Sequence, residues 1–310
     1  LPSQIDDLYE PGDPRVGWAY NVYYVGVNIG GFLAPLICGT LGEVYGWHYG
    51  FGAAGVGMIA GLLIYLWGGR YLPQEAGPQR SNSAATRGAM SLGRSTITLL
   101  IAVALGVTIF RGAYEQVGNT VALWTDSGVD RRIAGFTVPI TWFISLNPLL
   151  VMVLTPLLLA RWRRRAEAGR TWPAVRKMAA GALIVAAAYL LLATAASLGA
   201  SGGRTGWPWL IAFFVLFTLG ELYILPTGLG LFARVAPAGL GATTVAAWYL
   251  AIFTGSLAAG LVGTLWSAMA PGAYFLLLAG IAGAAALLLR ALEPLERRRE
   301  TENDATRKSL

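Results

Sequence analysis

The sequence is poor in charge, in cysteine and in histidine. Only 13% of its 310 residues are Asp, Glu, Lys or Arg, about half the share found in soluble domains. A single cysteine, Cys38, excludes a disulfide framework and a thiolate metal cluster. A single histidine, His48, excludes a multi-histidine metal site. Enzyme signatures are missing too: there is no phosphate-cradling Gly-x-x-x-x-Gly-Lys loop and no G-x-S-x-G elbow. No metal, no cofactor and no enzymatic activity are therefore expected. No signal peptide precedes the first apolar run, and a chain opening on Leu1 reads as the continuation of a longer one.

What is present is apolar. The chain is 55% hydrophobic with a mean hydropathy of +0.57, the composition of an all-α, polytopic membrane protein. A bilayer core ~30 Å thick takes about 20 apolar residues per helix. Eight segments qualify: Gly17 to Leu41, Trp47 to Trp67, Thr96 to Trp124, Phe136 to Ala160, Ala174 to Leu198, Trp207 to Ala233, Ala242 to Trp266 and Tyr274 to Leu292. They are rich in Gly and Ala, which lets helices approach closely in lipid. Trp47, Trp67, Trp124, Trp207 and Trp266 stand at span ends, where indoles favour the interface.

The formal charge of +7 is not spread evenly. Arg131, Arg132 and Arg204 fall in loops on one side and Arg111 inside a span. Every other Lys and Arg, including Arg161, Arg163, Arg164 and Arg165, falls on the opposite side. The positive-inside rule makes that side cytoplasmic, with both chain ends there. The basic clusters are thus topology signals rather than a nucleic-acid surface. The one long polar segment, rich in Pro, Ser, Asn and Gly, divides the chain unevenly. Residues 1–71 form a two-span remnant of an N-terminal half, 72–94 a cytoplasmic linker, 95–292 a six-helix half, and 293–310 a cytoplasmic tail.

Two spans carry carboxylates, Glu115 and Glu221. An ionised carboxylate at bilayer depth costs about 2.5–3.5 kcal/mol on insertion scales, so each must face a polar cavity, pair with a cation or hold a proton. Arg111, Glu115 and Asn119 recur every fourth residue, so Arg111 and Glu115 can pair along one helix. A purely structural pair competes with a functional one there. Glu221 has no basic residue within a turn, and its partner must come from another helix, a ligand or a proton. Tyr20, Tyr24 and Asn28 form a further polar stripe, which fits either a water-filled cavity or interhelical hydrogen bonding. Asn147 precedes Pro148, whose missing N–H frees a carbonyl one turn earlier.

Several stretches resemble proton-coupled oligopeptide transporters of the major facilitator superfamily. DLYEPGDPR and YYVGVNIGGFLAP, within Asp7 to Pro35, resemble the junction of that family's fourth and fifth helices. YGWHYGFGAAGVGM resembles its sixth, FRGAYEQVGNTVALW its seventh, SLNPLLVMVLTP its eighth and GELYILPTGLGLFARVAP its tenth. The resemblance implies the major facilitator fold, with family helices five to twelve present and one to four outside the chain. It implies proton-driven symport of di- and tripeptides by alternating access, the fragment alone being inactive. Substrate-binding roles then fall to Glu221, for the peptide's ammonium, to Tyr24, Asn28 and Asn147, for its backbone, and to Trp248, lining the cavity. Proton coupling falls to Glu115, with Arg111 a candidate partner in place of a fourth-helix lysine. The implied partners are a di- or tripeptide, protons, the lipid bilayer and the missing helices. Departures from the family pattern are Arg111 for a tryptophan, Leu225 for a serine, Ser256 for an asparagine, and Thr243, Thr244 and Val245 for a Met-rich stretch. These leave open a same-fold transporter of a non-peptide substrate, or a non-transporting receptor or remnant.

Overall fold

A computed structural model describes residues 15–71, 94–236 and 241–298. The expected linker, apart from Arg94, lies outside them, as do the motif DLYEPGDP and residues 299–310. Among the described residues, eight helical segments are long and apolar enough to cross a membrane. The chain divides into two compact units, Leu1–Ser83 with Arg132–Val153, and Ala84–Arg131 with Leu154–Leu310.

In the first unit, α1 (Arg15–Ala34) runs into a π-turn at Pro35–Gly39 and then α2 (Thr40–Tyr45). Pro35 cannot donate a backbone hydrogen bond, and the helix widens where that bond is lost. Gly46, at φ 118°, ends α2 in a conformation that suits glycine alone, and α3 (Trp47–Gly68) follows. Leu62, Leu63, Ile64 and Trp67 of α3 are all more than half exposed, a surface suited to an apolar solvent. The first turn of α6 (Ile140–Glu167) is capped from a distance. The Glu43 carboxylate accepts from the backbone N–H groups of Ile140 (2.8 Å) and Thr141 (2.9 Å), two donors that the helix leaves without internal acceptors. Trp142 Nε1 donates to Thr40 Oγ1 at 2.7 Å beside it.

The fourth span was expected from Phe136, and the helix instead begins at Ile140. Phe136–Thr137 (β3) pairs with Arg132–Ile133 (β2) in a hairpin turned by Ala134 and Gly135, both at positive φ. Two positive φ angles in a two-residue loop match the right-handed twist of short strands, so Phe136 belongs to the hairpin despite its hydropathy.

The second unit contains α4 (Arg94–Tyr114), a tighter 3-10 turn at Glu115–Gly118, α5 (Thr120–Gly128), the end of α6, α7 (Ala174–Gly202), α8 (Pro208–Val235), α9 (Gly241–Thr264) and α10 (Pro271–Ala291). Val129–Asp130 (β1) pairs in parallel with Thr205–Gly206 (β4). Helix α7 packs on α8 and α10, and α4 packs on α9 and α10. The core is aromatic: Tyr189, Phe213 and Phe217 meet at centroid spacings of 5.4–6.3 Å. Where α4 tightens, the Ala113 carbonyl accepts from the buried Tyr189 hydroxyl at 2.6 Å. Residues 293–298, expected as the start of a tail, are helical and built into the unit. Glu296 accepts from Ala174 N and Val175 N, both at 2.9 Å, and so caps α7 after Pro173.

The α7–α8 contact is backbone to backbone. A Cβ added to Gly181 would lie 2.6 Å from the Gly220 carbonyl, and one on Gly220 the same distance from the Gly181 carbonyl. A backbone atom cannot rotate away, so Gly181→Val must push the helices apart. We expect it to lower stability by about 1–3 kcal/mol, read as an earlier thermal unfolding in detergent. Leu183→Ala, on the exposed face of the same helix, should leave the transition nearly in place.

Candidate functional site

In the second unit α4 delivers Arg111 and Tyr114, the 3-10 turn that follows it delivers Glu115, α8 delivers Glu221, and α9 delivers Ser256. The expected Arg111–Glu115 pair forms, with Arg111 Nη2 donating to Glu115 Oε1. A third member closes it: Ser256 Oγ donates to Glu115 Oε1 at 2.7 Å and accepts from Arg111 Nη2 at 3.1 Å. The serine that departs from the family pattern thus touches both charges. Helix α9 can come this near because residue 255 is glycine; a Cβ there would overlap Arg111 Cβ and approach the Thr108 carbonyl to 2.8 Å.

Glu221 finds its partner on another helix, as the lack of a local cation requires. Tyr114 Oη donates to Glu221 Oε1 at 2.7 Å. The phenol stacks on Phe217 at 5.1 Å, and the Arg111 guanidinium lies 4.5 Å from its ring centroid. Tyr114 therefore stands between the two carboxylates, touching Glu221 through its hydroxyl and Arg111 through its face. Sequence reasoning passed over it, because a tyrosine beside a glutamate carries no distinct signal.

Gln116 was also missed. It is 1% exposed, donates to the carbonyls of Ala259 (2.8 Å) and Gly112 (3.2 Å), and accepts from Thr120 and Tyr274 (both 3.1 Å). With its amide fully used, it locks the 3-10 turn against α9. That turn alters the expected third member of the stripe. Asn119 sits at the turn's end with φ −120° and ψ −94°, is exposed, and lies against Gly263 of α9 rather than one regular helical turn beyond Glu115.

Trp248 corrects another expectation. It is 2% exposed, packed over Gly228 and 5.3 Å from Phe232. Its indole fills the α8–α9 contact, so here it is a core residue and not a cavity wall. In the first unit, Asn28 is half-buried and its amide donates to the Tyr24 carbonyl at 2.9 Å, within its own helix. The Tyr24 side chain is 48% exposed. Asn147 is half-buried on α6, next to Pro148, which lies against Gly31. The helix continues through that proline to Glu167. Among the described residues no three His, Cys, Asp or Glu side chains converge as a metal set.

The Arg111–Glu115 pair is itself testable. Removing one partner of a buried pair typically costs about 3–5 kcal/mol, and Glu115 keeps 34% of its side-chain surface exposed, which argues for the lower end. Arg111→Met should destabilise by about 3 kcal/mol. The double substitution Arg111→Met with Glu115→Gln should recover most of that loss in a thermal-unfolding cycle. Equal and additive losses would show that the two charges do not depend on each other.

Comparison with known proteins places this geometry. The sequence is 28% identical over 329 residues to the peptide transporter YePEPT of Yersinia enterocolitica, covering 85% of this chain and 64% of that protein. It is 27% identical over 303 residues to the uncharacterized transporter YclF of Bacillus subtilis, covering 81% and 61%. The chain thus spans about three-fifths of the length of these relatives. Among solved structures, peptide transporter POT in complex with sulfate superposes with a TM-score of 0.84 at 25% identity, covering 95% of this chain and 71% of that one. A substituted form of peptide transporter POT in complex with alafosfalin gives 0.81 at 26%, covering 96% and 71%. The helices therefore have the major facilitator arrangement of transporters rather than an enzyme fold. The sequence model of the POT family matches residues 1–91 and 86–277, and the chain belongs to that family.

Proposed function

We propose that this multi-pass membrane protein acts as a proton-driven symporter of di- and tripeptides, working by alternating access in the bacterial inner membrane with both chain ends in the cytoplasm. The observation that carries the reading is the setting of Glu221. It is a carboxylate in a membrane-spanning helix, and Tyr114 Oη from another helix fixes its position, which suits a group that receives a cationic ligand. The peptide transporters among the relatives and structural neighbours support a peptide as that ligand. Its N-terminal ammonium is assigned to Glu221, and its backbone amides to Tyr24, Asn28 and Asn147.

Glu115 is assigned the proton. Ionised, it is matched by Arg111 and Ser256; protonated, it no longer balances the guanidinium, and the contact that ties α4 to α9 weakens. A proton moving down the membrane potential supplies about 2.3 kcal/mol per 100 mV, enough to bias such a two-state contact. No cofactor is needed beyond the proton gradient.

A second reading keeps the fold and changes the cargo. Ser256 replaces an asparagine beside the coupling carboxylate and Leu225 a serine four residues after Glu221, so a non-peptide substrate is the competing assignment. In proteoliposomes containing the complete gene product, Glu221→Gln is expected to abolish proton-driven dipeptide uptake. Tyr114→Phe, which removes one hydrogen bond to a charged group, should raise KM by about tenfold with kcat little changed. Undiminished uptake by the Glu221→Gln protein rejects the peptide assignment. Competition of dipeptide uptake by a non-peptide solute, unmatched by other dipeptides, would favour the second reading.

A further inference from the structure

A cavity of about 1010 Å³ opens between the last turns of α6 and the middle of α8, away from the carboxylate network. Its walls change character along α6. Leu154, Leu157 and Leu158, with Leu219 and Tyr223 from α8, line one end; Arg161, Arg164, Arg165, Arg170 and Trp172 line the other. At 1.5 Å per residue, the passage from Leu154 to Arg164 takes roughly 15 Å. Arg161, Arg164 and Arg170 are exposed, and the turn after α6 brings Arg170 to the same end of the cavity. Gly169, at φ 68°, closes α6 with bonds from Arg170 N to the Arg165 carbonyl (2.8 Å) and from Gly169 N to the Ala166 carbonyl (2.9 Å). This glycine cap folds Arg170 and Trp172 back over the helix end. Trp172 is then flanked by Arg165 at 5.0 Å and Arg176 at 4.8 Å.

The charges on this wall are not matched by carboxylates. Arg163, which points elsewhere, pairs with Glu167 at 2.9 Å, whereas no acidic partner among the described residues serves Arg161, Arg164 or Arg170. Three guanidiniums with no acidic partner among the described residues, opening onto a leucine-lined slot, suit a ligand with a phosphate-like anion at one end and hydrocarbon at the other. Basic pockets between spans on the positive side of a membrane protein have that selectivity, and guanidinium forks match phosphate geometry.

We propose that this cavity binds an anionic phospholipid, its phosphate against Arg161, Arg164 and Arg170 and the start of an acyl chain against Leu154, Leu157 and Leu219. The leaflet follows the orientation proposed above; the binding itself does not depend on the transported substrate. The test is native mass spectrometry of the purified, delipidated protein titrated with phosphatidylglycerol or phosphatidylcholine of equal chain length.

Each arginine near a headgroup is worth about fivefold in affinity, so phosphatidylglycerol should be preferred by about a hundredfold. The triple variant Arg161→Gln, Arg164→Gln, Arg170→Gln should lose the preference. Arg170→Gln alone should reduce it about fivefold, and Arg163→Gln should keep it. Leu157→Trp, which fills the apolar end and leaves every arginine, should also weaken phosphatidylglycerol binding. The proposal is overturned if the unsubstituted protein shows no preference, or if Arg163→Gln acts as strongly as the triple variant. It is equally overturned if glycerol phosphate at equal concentration displaces the lipid, which would make this a site for free anions. Dipeptide uptake enters none of these readings.

Discussion

Inside a membrane no water stands by to satisfy a stray charge or an unpaired backbone group, so each must be answered by another part of the protein. Two carboxylates of this chain meet that demand at helix starts. Glu43 answers the first N–H groups of α6, and Glu296 those of α7. Both helices follow a proline, Pro139 and Pro173, whose side chain offers no capping group. A carboxylate accepting two such donors also meets the positive end of the helix dipole. The two caps fix where α6 and α7 begin, and the positions of the residues farther along those helices follow from them.

The same demand shapes the interior. Arg111 brings a cation into a span, which is tolerable because Glu115, one turn away, and Ser256 both accept from its Nη2. The arrangement depends on small residues as much as on charges. Gly255 lets α9 approach Arg111, and Gln116 then binds the Ala259 carbonyl farther along the same helix. Charge matching and close packing are therefore one structural fact at this contact: a bulkier residue at 255 would separate the serine from the pair it completes.

Much of this was legible in the sequence and some of it could not be. Spans are set by length and hydropathy, properties of contiguous residues, and seven of the eight expected segments begin within three residues of a helix start. The exception, at Phe136, fell where an apolar residue sits in a hairpin determined by Ala134 and Gly135 instead of by hydropathy. The Arg111–Glu115 pair was legible because its members are four apart on one helix. Tyr114, Glu43 and Glu296 were not, since their partners lie at least 97 residues away in the chain and no periodicity connects them. Trp248 shows the converse error. A motif position identifies a residue, but whether its ring faces a cavity or a neighbouring helix depends on what stands opposite, here Gly228.

The network also constrains how the proposed proton and peptide sites influence one another. Arg111 touches Glu115 through its guanidinium and Tyr114 through the ring face, and Tyr114 touches Glu221 through its hydroxyl. Neutralising Glu115 leaves Arg111 with Ser256 and the Tyr114 ring face, and Tyr114 also bonds Glu221. An ammonium arriving at Glu221 acts on the same phenol from the other side. By linkage, whatever a proton at Glu115 does to ammonium affinity, an ammonium at Glu221 must do to proton affinity by the same factor. Coupling between the two sites therefore needs no long pathway. One aromatic ring, stacked on Phe217, lies against Arg111 and holds Glu221.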